Sequence, residues 1–314
     1  MLDLSHDLKG RNFTRIATWS AEDLAAVLDL AADLKAKQRA GEGQRLLPGR
    51  TLAMIFQKAS TRTRVSFEAA MAQLGGAALF LRADDLQLGR GETIRDTASV
   101  LSRLVDAILI RTFAQDEVEE LAEHASVPVI NGLTDETHPT QALADVMTIR
   151  ERFGRLEGVR AAYLGDGNNV CASLMAAAAK FGMDFVAATP PGYEPATDAV
   201  ARARRDAEAT GGSVAIVEDP HEAAHGAHVV YTDVWTSMGQ EDEAEQRRRD
   251  LGRYRIDADL LRVAGPDALV LHCLPAHYGE EITEDVLYGP QSGVWDEAEN
   301  KLHAVKALLV LTVR

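Results

Sequence analysis

Cysteine is almost missing from this chain: two, Cys171 and Cys273, stand among 314 residues. Two thiols give neither a disulfide framework nor the paired spacing of a zinc site, so a reducing cytosol is the expected compartment. Long apolar runs are missing as well. None approaches the ~18–20 residues that span a bilayer, so no membrane association is expected. The start, MLDLSHDLKGRNF, is charged from Asp3 onward and lacks the apolar core of a secretory leader. An excess of basic residues is lacking too, with 33 Lys and Arg against 48 Asp and Glu, a net charge of −15. Neutralising a phosphate backbone needs a basic face, so nucleic acid is not an expected partner. A local basic pocket inside the acidic shell remains compatible with small anions.

What is present is an ordinary globular composition, 46% hydrophobic and 26% charged, long enough for about two domains. EDLAAVLDLAADLKAK (22–37) puts Leu24, Val27, Leu28, Ala31 and Leu34 on one helical stripe. Short apolar runs follow in two series. The first is 51–57, 77–81, 107–111 and 127–131; the second is 160–166, 184–190, 213–219, 228–234 and 268–275. Strands of this length, buried on both faces and separated by helical stretches, predict α/β architecture: two doubly wound parallel-sheet domains with helices on both faces. TQALADVMTIRERFG (140–154) is the expected bridge, ending at Gly154 and Gly158. The expected division is residues 1–147, residues 148–290, and a C-terminal helix over 291–314 that returns to the first domain. EDEAEQRRRD (241–250) reads equally as a solvated charge run or as a functional segment.

In open parallel sheets ligands bind beyond the carboxyl ends of the strands, so the polar residues there are the candidates. QKASTRTRVSFE (57–68) leaves an apolar strand and enters a helix whose apolar face takes in Val65, Ala69, Ala70 and Leu74. Arg62 and Arg64 fall in its first turn, where the helix dipole disfavours cations. They are explained if a dianion sits among free backbone N–H groups, the hydroxyls of Ser60, Thr61 and Thr63, and an arginine fork. The structural alternative for Arg64 is an i,i+4 pair with Glu68. The stretch has no glycine and is not a Walker A loop. GDGNN (165–169) invites a dinucleotide reading, but Val170 holds the third glycine position and no acidic residue ends a second strand at the expected distance. A nicotinamide-type cofactor is not expected.

STRTR at 60–64, HPTQ at 138–141, GDGNN at 165–169, DVWTSMG at 233–239 and HCLPAH at 272–277 occur in that order. Together they resemble the ornithine carbamoyltransferases of the aspartate/ornithine carbamoyltransferase family, from about residue 5 to the C-terminus. The resemblance implies transfer of the carbamoyl group of carbamoyl phosphate to the δ-amine of L-ornithine. It implies no cofactor, no metal, and a homotrimer or a multiple of trimers. On the carbamoyl phosphate side it implies Ser60, Thr61, Arg62, Thr63, Gln87, Arg111, His138, Gln141, Cys273, Leu274 and Lys301. On the ornithine side it implies Asn169, Asp233, Ser237 and Met238, with Arg111, His138, Asp233 and Cys273 closest to the chemistry. Ser237–Met238–Gly239 would belong to a loop closing over the substrate. It also implies a cis bond between Leu274 and Pro275.

One position departs from the pattern: Lys301 stands where the family carries an arginine after E-N. The charge is kept and the planar fork is lost. Putrescine or another amine is the alternative acceptor, and a non-catalytic regulatory paralogue is the alternative from another class.

Overall fold

The computed structural model describes residues 8–82, 86 and 91–314. Among these residues nine strands form two all-parallel sheets. β1 (Thr51–Phe56), β2 (Ala77–Arg82), β3 (Ala107–Arg111) and β4 (Val129–Leu133) stand in the order β2-β1-β3-β4. β5 (Arg160–Leu164), β6 (Asp184–Ala188), β7 (Ser213–Val217), β8 (Val229–Thr232) and β9 (Leu269–His272) stand in the order β7-β6-β5-β8-β9. Each apolar run read from the sequence thus became one strand. The chain separates into two compact units: residues up to Ala144 with Glu299–Arg314, and Asp145–Ala298.

The central strands are covered on both sides. Leu52, Ala53, Met54 and Ile55 of β1 are all buried, as are Ala161, Ala162, Tyr163 and Leu164 of β5. Since successive strand residues point to opposite faces, continuous burial means helices on both faces. In the first unit Ala53, Ile55, Ile108 and Val129 pack on Ala98, Val118 and Leu121. In the second, Ala162, Val186, Val230 and Val270 pack on Ala223, Ala224, Leu251 and Leu260. Of the outermost strands, β2 and β7 depart from the expected two-faced burial: β2 leaves Leu79 exposed and no residue of β7 is fully buried, whereas β4 and β9 at the opposite edges are buried almost throughout.

The first helix, Ala21–Arg39, buries Leu24, Val27, Leu28, Ala31 and Leu34 as the stripe predicts. Ser20 caps it, its side chain accepting from the Asp23 N–H at 3.1 Å. The expected bridging helix spans Pro139–Phe153 and stops at Gly154, which adopts φ 71°. The last helix, Val294–Val313, places residues 299 onward in the first unit. No described helix is long and apolar enough to cross a membrane.

Candidate functional site

Each sheet has one point where the strand order reverses. In the first unit it lies between β1 and β3, and in the second between β5 and β8. A doubly wound sheet opens a crevice at its switch point, just past the strand ends. The sequence candidates fall on these two places.

In the first unit, β1 runs into Ser60, the N-cap of helix Thr61–Leu74, whose hydroxyl accepts from the Thr63 N–H at 3.2 Å. Thr63 is buried, and its hydroxyl has no protein partner among the described residues. Thr61 is exposed and Arg62 half-buried. Arg64 turns away: its Nε donates to Glu68 at 2.9 Å and its guanidinium lies 3.7 Å from the Phe80 ring centroid. Its pairing is therefore the structural alternative. Val65 was expected on the apolar face and is 55% exposed; Phe67 and Met71 occupy that face instead. The helix phase is set by Thr63, Phe67, Ala70 and Leu74, which leaves Val65 outward.

Beside this loop, Arg111 ends β3 and is buried. His138 precedes the Pro139–Phe153 helix, and its carbonyl accepts from the Gln141 N–H at 3.1 Å. Lys301 reaches the same place from the last helix. It is 4% exposed, its Nζ donates to Gln141 Oε1 at 3.0 Å, and it lies 3.4 Å from His138 Nε2. Burial lowers the His138 pKa well below the usual histidine value, and Lys301, Arg111 and Arg62 lower it further. The result is a neutral imidazole facing three cations. A short ammonium–carboxylate contact joins buried Lys58, past the end of β1, to Asp135, three residues before His138. Lys58 escaped the sequence reading, although a lysine just past a strand end in QKAST was the available signal. Gln87 lies outside the described residues.

In the second unit, Asn168 caps helix Asn169–Lys180, its Oδ1 accepting from the N–H groups of Val170 and Cys171. Asn169 occupies the first turn. Asp233 follows β8; its Oδ2 accepts from Asn168 Nδ2 at 2.8 Å and its Oδ1 from Cys273 Sγ at 2.9 Å. Gly167 allows the close approach of the Pro195 backbone nitrogen, which a Cβ would meet at 2.3 Å. Ser237 and Met238 lie in the turn beyond, where the Ser237 N–H donates to Gln240 Oε1 at 3.0 Å and Met238 is exposed. The Leu274–Pro275 bond is cis, as expected, with Leu274 at φ 57°.

Cys273 is not built as a nucleophile. Burial first, then Asp233, push its pKa well above that of a free thiol, so the thiol form persists at neutral pH. Asp233, His272 and Cys273 offer ligand atoms within 4.8 Å of one another. All three are already engaged: Cys273 with Asp233, and the His272 ring with the Leu274 N–H at 2.8 Å and Glu281 Oε1 at 3.1 Å. That set is organised by protein hydrogen bonds rather than around a cation.

The sequence reading held Asn168 only as a member of the GDGNN run 165–169 and gave the individual role to Asn169; an asparagine at a strand-to-helix junction was the signal for the cap. That reading missed Arg247, inside the charge run 241–250. That arginine is buried and donates to Asp166 Oδ2 at 2.7 Å, to Glu243 Oε2 at 2.9 Å and to the Trp235 carbonyl at 3.2 Å. It therefore braces the loop after β8.

Two doubly wound α/β units, one with cationic and one with acidic and amide groups at its switch point, define the class. Residues 11–151 match the family model described as the aspartate/ornithine carbamoyltransferase carbamoyl-P binding domain, and residues 157–312 its Asp/Orn binding domain. The chain belongs to the aspartate/ornithine carbamoyltransferase family. It is 57% identical to an ornithine carbamoyltransferase of Symbiobacterium thermophilum, over 97% of this chain and 98% of that protein. Its fold is similar to that of the ornithine carbamoyltransferase from Pyrococcus furiosus (TM-score 0.96, 55% identity, 98% of each chain). It is also similar to the Gloeobacter violaceus enzyme (TM-score 0.87, 48% identity, 98% of this chain and 100% of that one).

Proposed function

We propose that this protein is an ornithine carbamoyltransferase: it transfers the carbamoyl group of carbamoyl phosphate to the δ-amine of L-ornithine, giving L-citrulline and phosphate. The observation that carries the reading is the convergence of Arg62, Arg111 and Lys301 on a neutral, buried His138. Carbamoyl phosphate brings a dianionic phosphate and a carbonyl oxygen that gains charge when attacked. Ser60, Thr61, Arg62 and Thr63 suit the phosphate, at a helix N-terminus with an added guanidinium. Arg111, His138, Gln141 and Lys301 suit the carbamoyl group, where a preorganised donor stabilises a developing oxyanion by ~3 kcal/mol.

The acceptor's δ-amine has a pKa near ~10.4 as a free lysine-type amine and attacks only after losing a proton. The amine lone pair then bonds to the carbonyl carbon and the C–O bond to phosphate breaks, phosphate leaving with the electron pair and taking up the proton that the attacking nitrogen sheds. Asn169 suits the α-carboxylate and Asp233 the α-ammonium, as a carboxylate at a strand end should. The resemblance aligns Cys273 with the δ-amine, and its position as a persistent thiol beside Asp233 supports that role. Ser237 and Met238 supply the closing loop, which would keep water from the acyl phosphate. Orientation and charge stabilisation carry most of the rate.

We extend the reading to the biosynthetic direction, supported by a 55% identical Pyrococcus furiosus relative named as the anabolic enzyme. Two free cysteines support a cytoplasmic setting, and the family resemblance supports a homotrimer or a multiple of it. The test is citrulline-type product formation from carbamoyl phosphate with ornithine, putrescine or aspartate offered in parallel. Turnover with ornithine alone supports the reading; turnover with putrescine but not ornithine, or with neither, overturns it.

A further inference from the structure

Residues 277–282 make a tight turn in the second unit. The Glu280 N–H donates to the His277 carbonyl at 3.0 Å and the Gly279 N–H to the Ile282 carbonyl at 3.0 Å, with Gly279 at φ 85°. The turn gathers the side chains of His277, Glu280 and Glu281, whose ligand atoms all lie within 4.8 Å of one another. Their surroundings differ from those of Asp233, His272 and Cys273, where protein hydrogen bonds take up the ligand atoms.

Glu281 is fully buried. Its Oε1 accepts from the His277 N–H at 2.6 Å and lies 3.1 Å from His272 Nε2. Because His272 Nδ1 accepts from the Leu274 N–H, Nε2 carries the ring proton and donates it to Glu281. Glu281 Oε2 has no hydrogen-bond partner among the described residues. It faces His277 Nδ1 at 4.0 Å, too far for a hydrogen bond. A buried carboxylate oxygen left without a donor is costly, and a bound cation offsets that cost. Glu280 is held in a similar way, its Oε1 accepting from Arg248 Nε at 2.9 Å. Both carboxylates are thus fixed through Oε1, the kind of outer hydrogen bonding that orients metal ligands. The His277 ring is half exposed, which leaves an approach from solvent.

We propose that His277 Nδ1, Glu281 Oε2 and a carboxylate oxygen of Glu280 form a binding site for a divalent cation of the zinc class, with water as the fourth ligand. An imidazole nitrogen beside two carboxylate oxygens matches that class, whereas magnesium and calcium prefer oxygen ligands alone. Tetrahedral bonds of about 2.0–2.2 Å set ligand atoms roughly 3.4 Å apart, so the His277 ring and the Glu280 side chain need close by only about 1 Å. The ion binds a turn that Glu281 already ties to the His272 ring, and it stiffens the stretch carrying Cys273 and Leu274. The site stands independently of the proposed reaction, which needs no metal.

The test titrates chelator-treated full-length protein with zinc chloride by calorimetry, and with cobalt(II) as an optical probe, in the parent and in His277→Ala, Glu280→Gln and Cys273→Ser. One zinc ion should bind per chain, and His277→Ala and Glu280→Gln should each weaken binding at least ~10–100-fold, the loss that even an outer partner of a ligand causes. Zinc should raise the melting point of the parent and not that of His277→Ala, which without metal should melt with the parent because the ring is half exposed. Cys273→Ser should bind as the parent does, and the cobalt spectrum should lack the charge-transfer band of a thiolate ligand. Magnesium should not compete. Binding that Cys273→Ser abolishes, or a thiolate band, assigns the ion to Asp233, His272 and Cys273 and overturns the proposal. Unchanged affinity in both His277→Ala and Glu280→Gln overturns it as well. So does the absence of saturable binding up to about 1 mM zinc, which would leave Glu281 Oε2 to a proton on His277.

Discussion

Replacing Lys301 by arginine should improve the protein, and the size of the gain follows from the donors at the site. An ammonium has three N–H groups and no acceptor. In the structure the ammonium already donates to Gln141 Oε1 at 3.0 Å and lies 3.4 Å from His138 Nε2, so a substrate carbonyl has to share its donors. A guanidinium offers five N–H groups in a rigid plane, so it can keep the Gln141 contact and still present two parallel donors. One added charge-assisted hydrogen bond, partly offset by rearrangement, is worth about 1–2 kcal/mol. Lys301→Arg is therefore expected to raise kcat/KM for carbamoyl phosphate by ~5–30-fold, each factor of ten being about 1.4 kcal/mol. Initial rates at saturating ornithine, with carbamoyl phosphate varied, measure it. If the bond forms already with the bound substrate the gain appears in KM; if it forms only as the carbonyl oxygen gains charge it appears in kcat. Lys301→Ala should lose at least as much as Lys301→Arg gains. The reasoning is refuted if both variants behave like the parent. It is equally refuted if the arginine variant loses both stability and kcat/KM, which would mean that the 4%-exposed site has no room for the longer side chain.

Arg62→Ala should lower turnover by at least ~10²-fold and barely move the melting point, because a cation in a helix's first turn does little for folding; a large stability loss with full turnover would contradict its place in the site. Cys273→Ser should retain activity within about 100-fold, and iodoacetamide should label Cys273 slowly at pH 7, since burial and Asp233 hold it as the thiol; fast labelling or a ~10⁴-fold loss would restore a nucleophilic role. Stability should fall as pH drops from about 6.5 toward about 4, because buried His303 holds its proton only near pKa about 4 while the unfolded chain binds it near 6.5. That difference is worth up to about 3 kcal/mol, and denaturant midpoints across the range should flatten in a His303→Gln variant; an unchanged slope would remove His303 as the cause.

Strands and their carboxyl ends were legible because they depend on short-range patterns, whereas the strand order that makes the switch points did not follow from them. A buried parallel strand must be a short apolar run, and the residue just past its end must be polar if a ligand is to sit there. Arg111, His138 and Asp233 follow that rule directly, each at or just beyond a strand's end. Lys301 did not, since it reaches its place from a helix more than a hundred residues away, and only the comparison with a family pattern singled it out. Arg247 was lost for the opposite reason. Its neighbours in EDEAEQRRRD are charged, and nothing local tells the one arginine that turns inward from those that face water. Val65 was misplaced because two helix phases offer apolar residues over that stretch, and the bulk of Phe67 and Met71 selects the other one.

The division of charge between the two candidate sets makes a stronger argument about substrates than either set alone. Arg62, Arg111 and Lys301 share one switch-point region with a histidine held neutral, which suits that region to an anion and to an amine only in its uncharged form. At the other, Asp233 accepts from both Asn168 and Cys273 and carries no basic side chain among those partners. A carboxylate so placed attracts an ammonium and repels a second carboxylate, and like charges at contact distance cost several kcal/mol in partial burial. Aspartate as acceptor would bring such a second carboxylate, whereas ornithine brings two amines and one carboxylate, for which the proposed function provides Asn169. At physiological ionic strength the overall charge of −15 is screened beyond about 8–10 Å, so it opposes an approaching dianion from farther away only at low salt. Within that distance the local cations decide. Discrimination between the substrates is thus written into where each sheet places its few charged residues, not into the charge of the molecule.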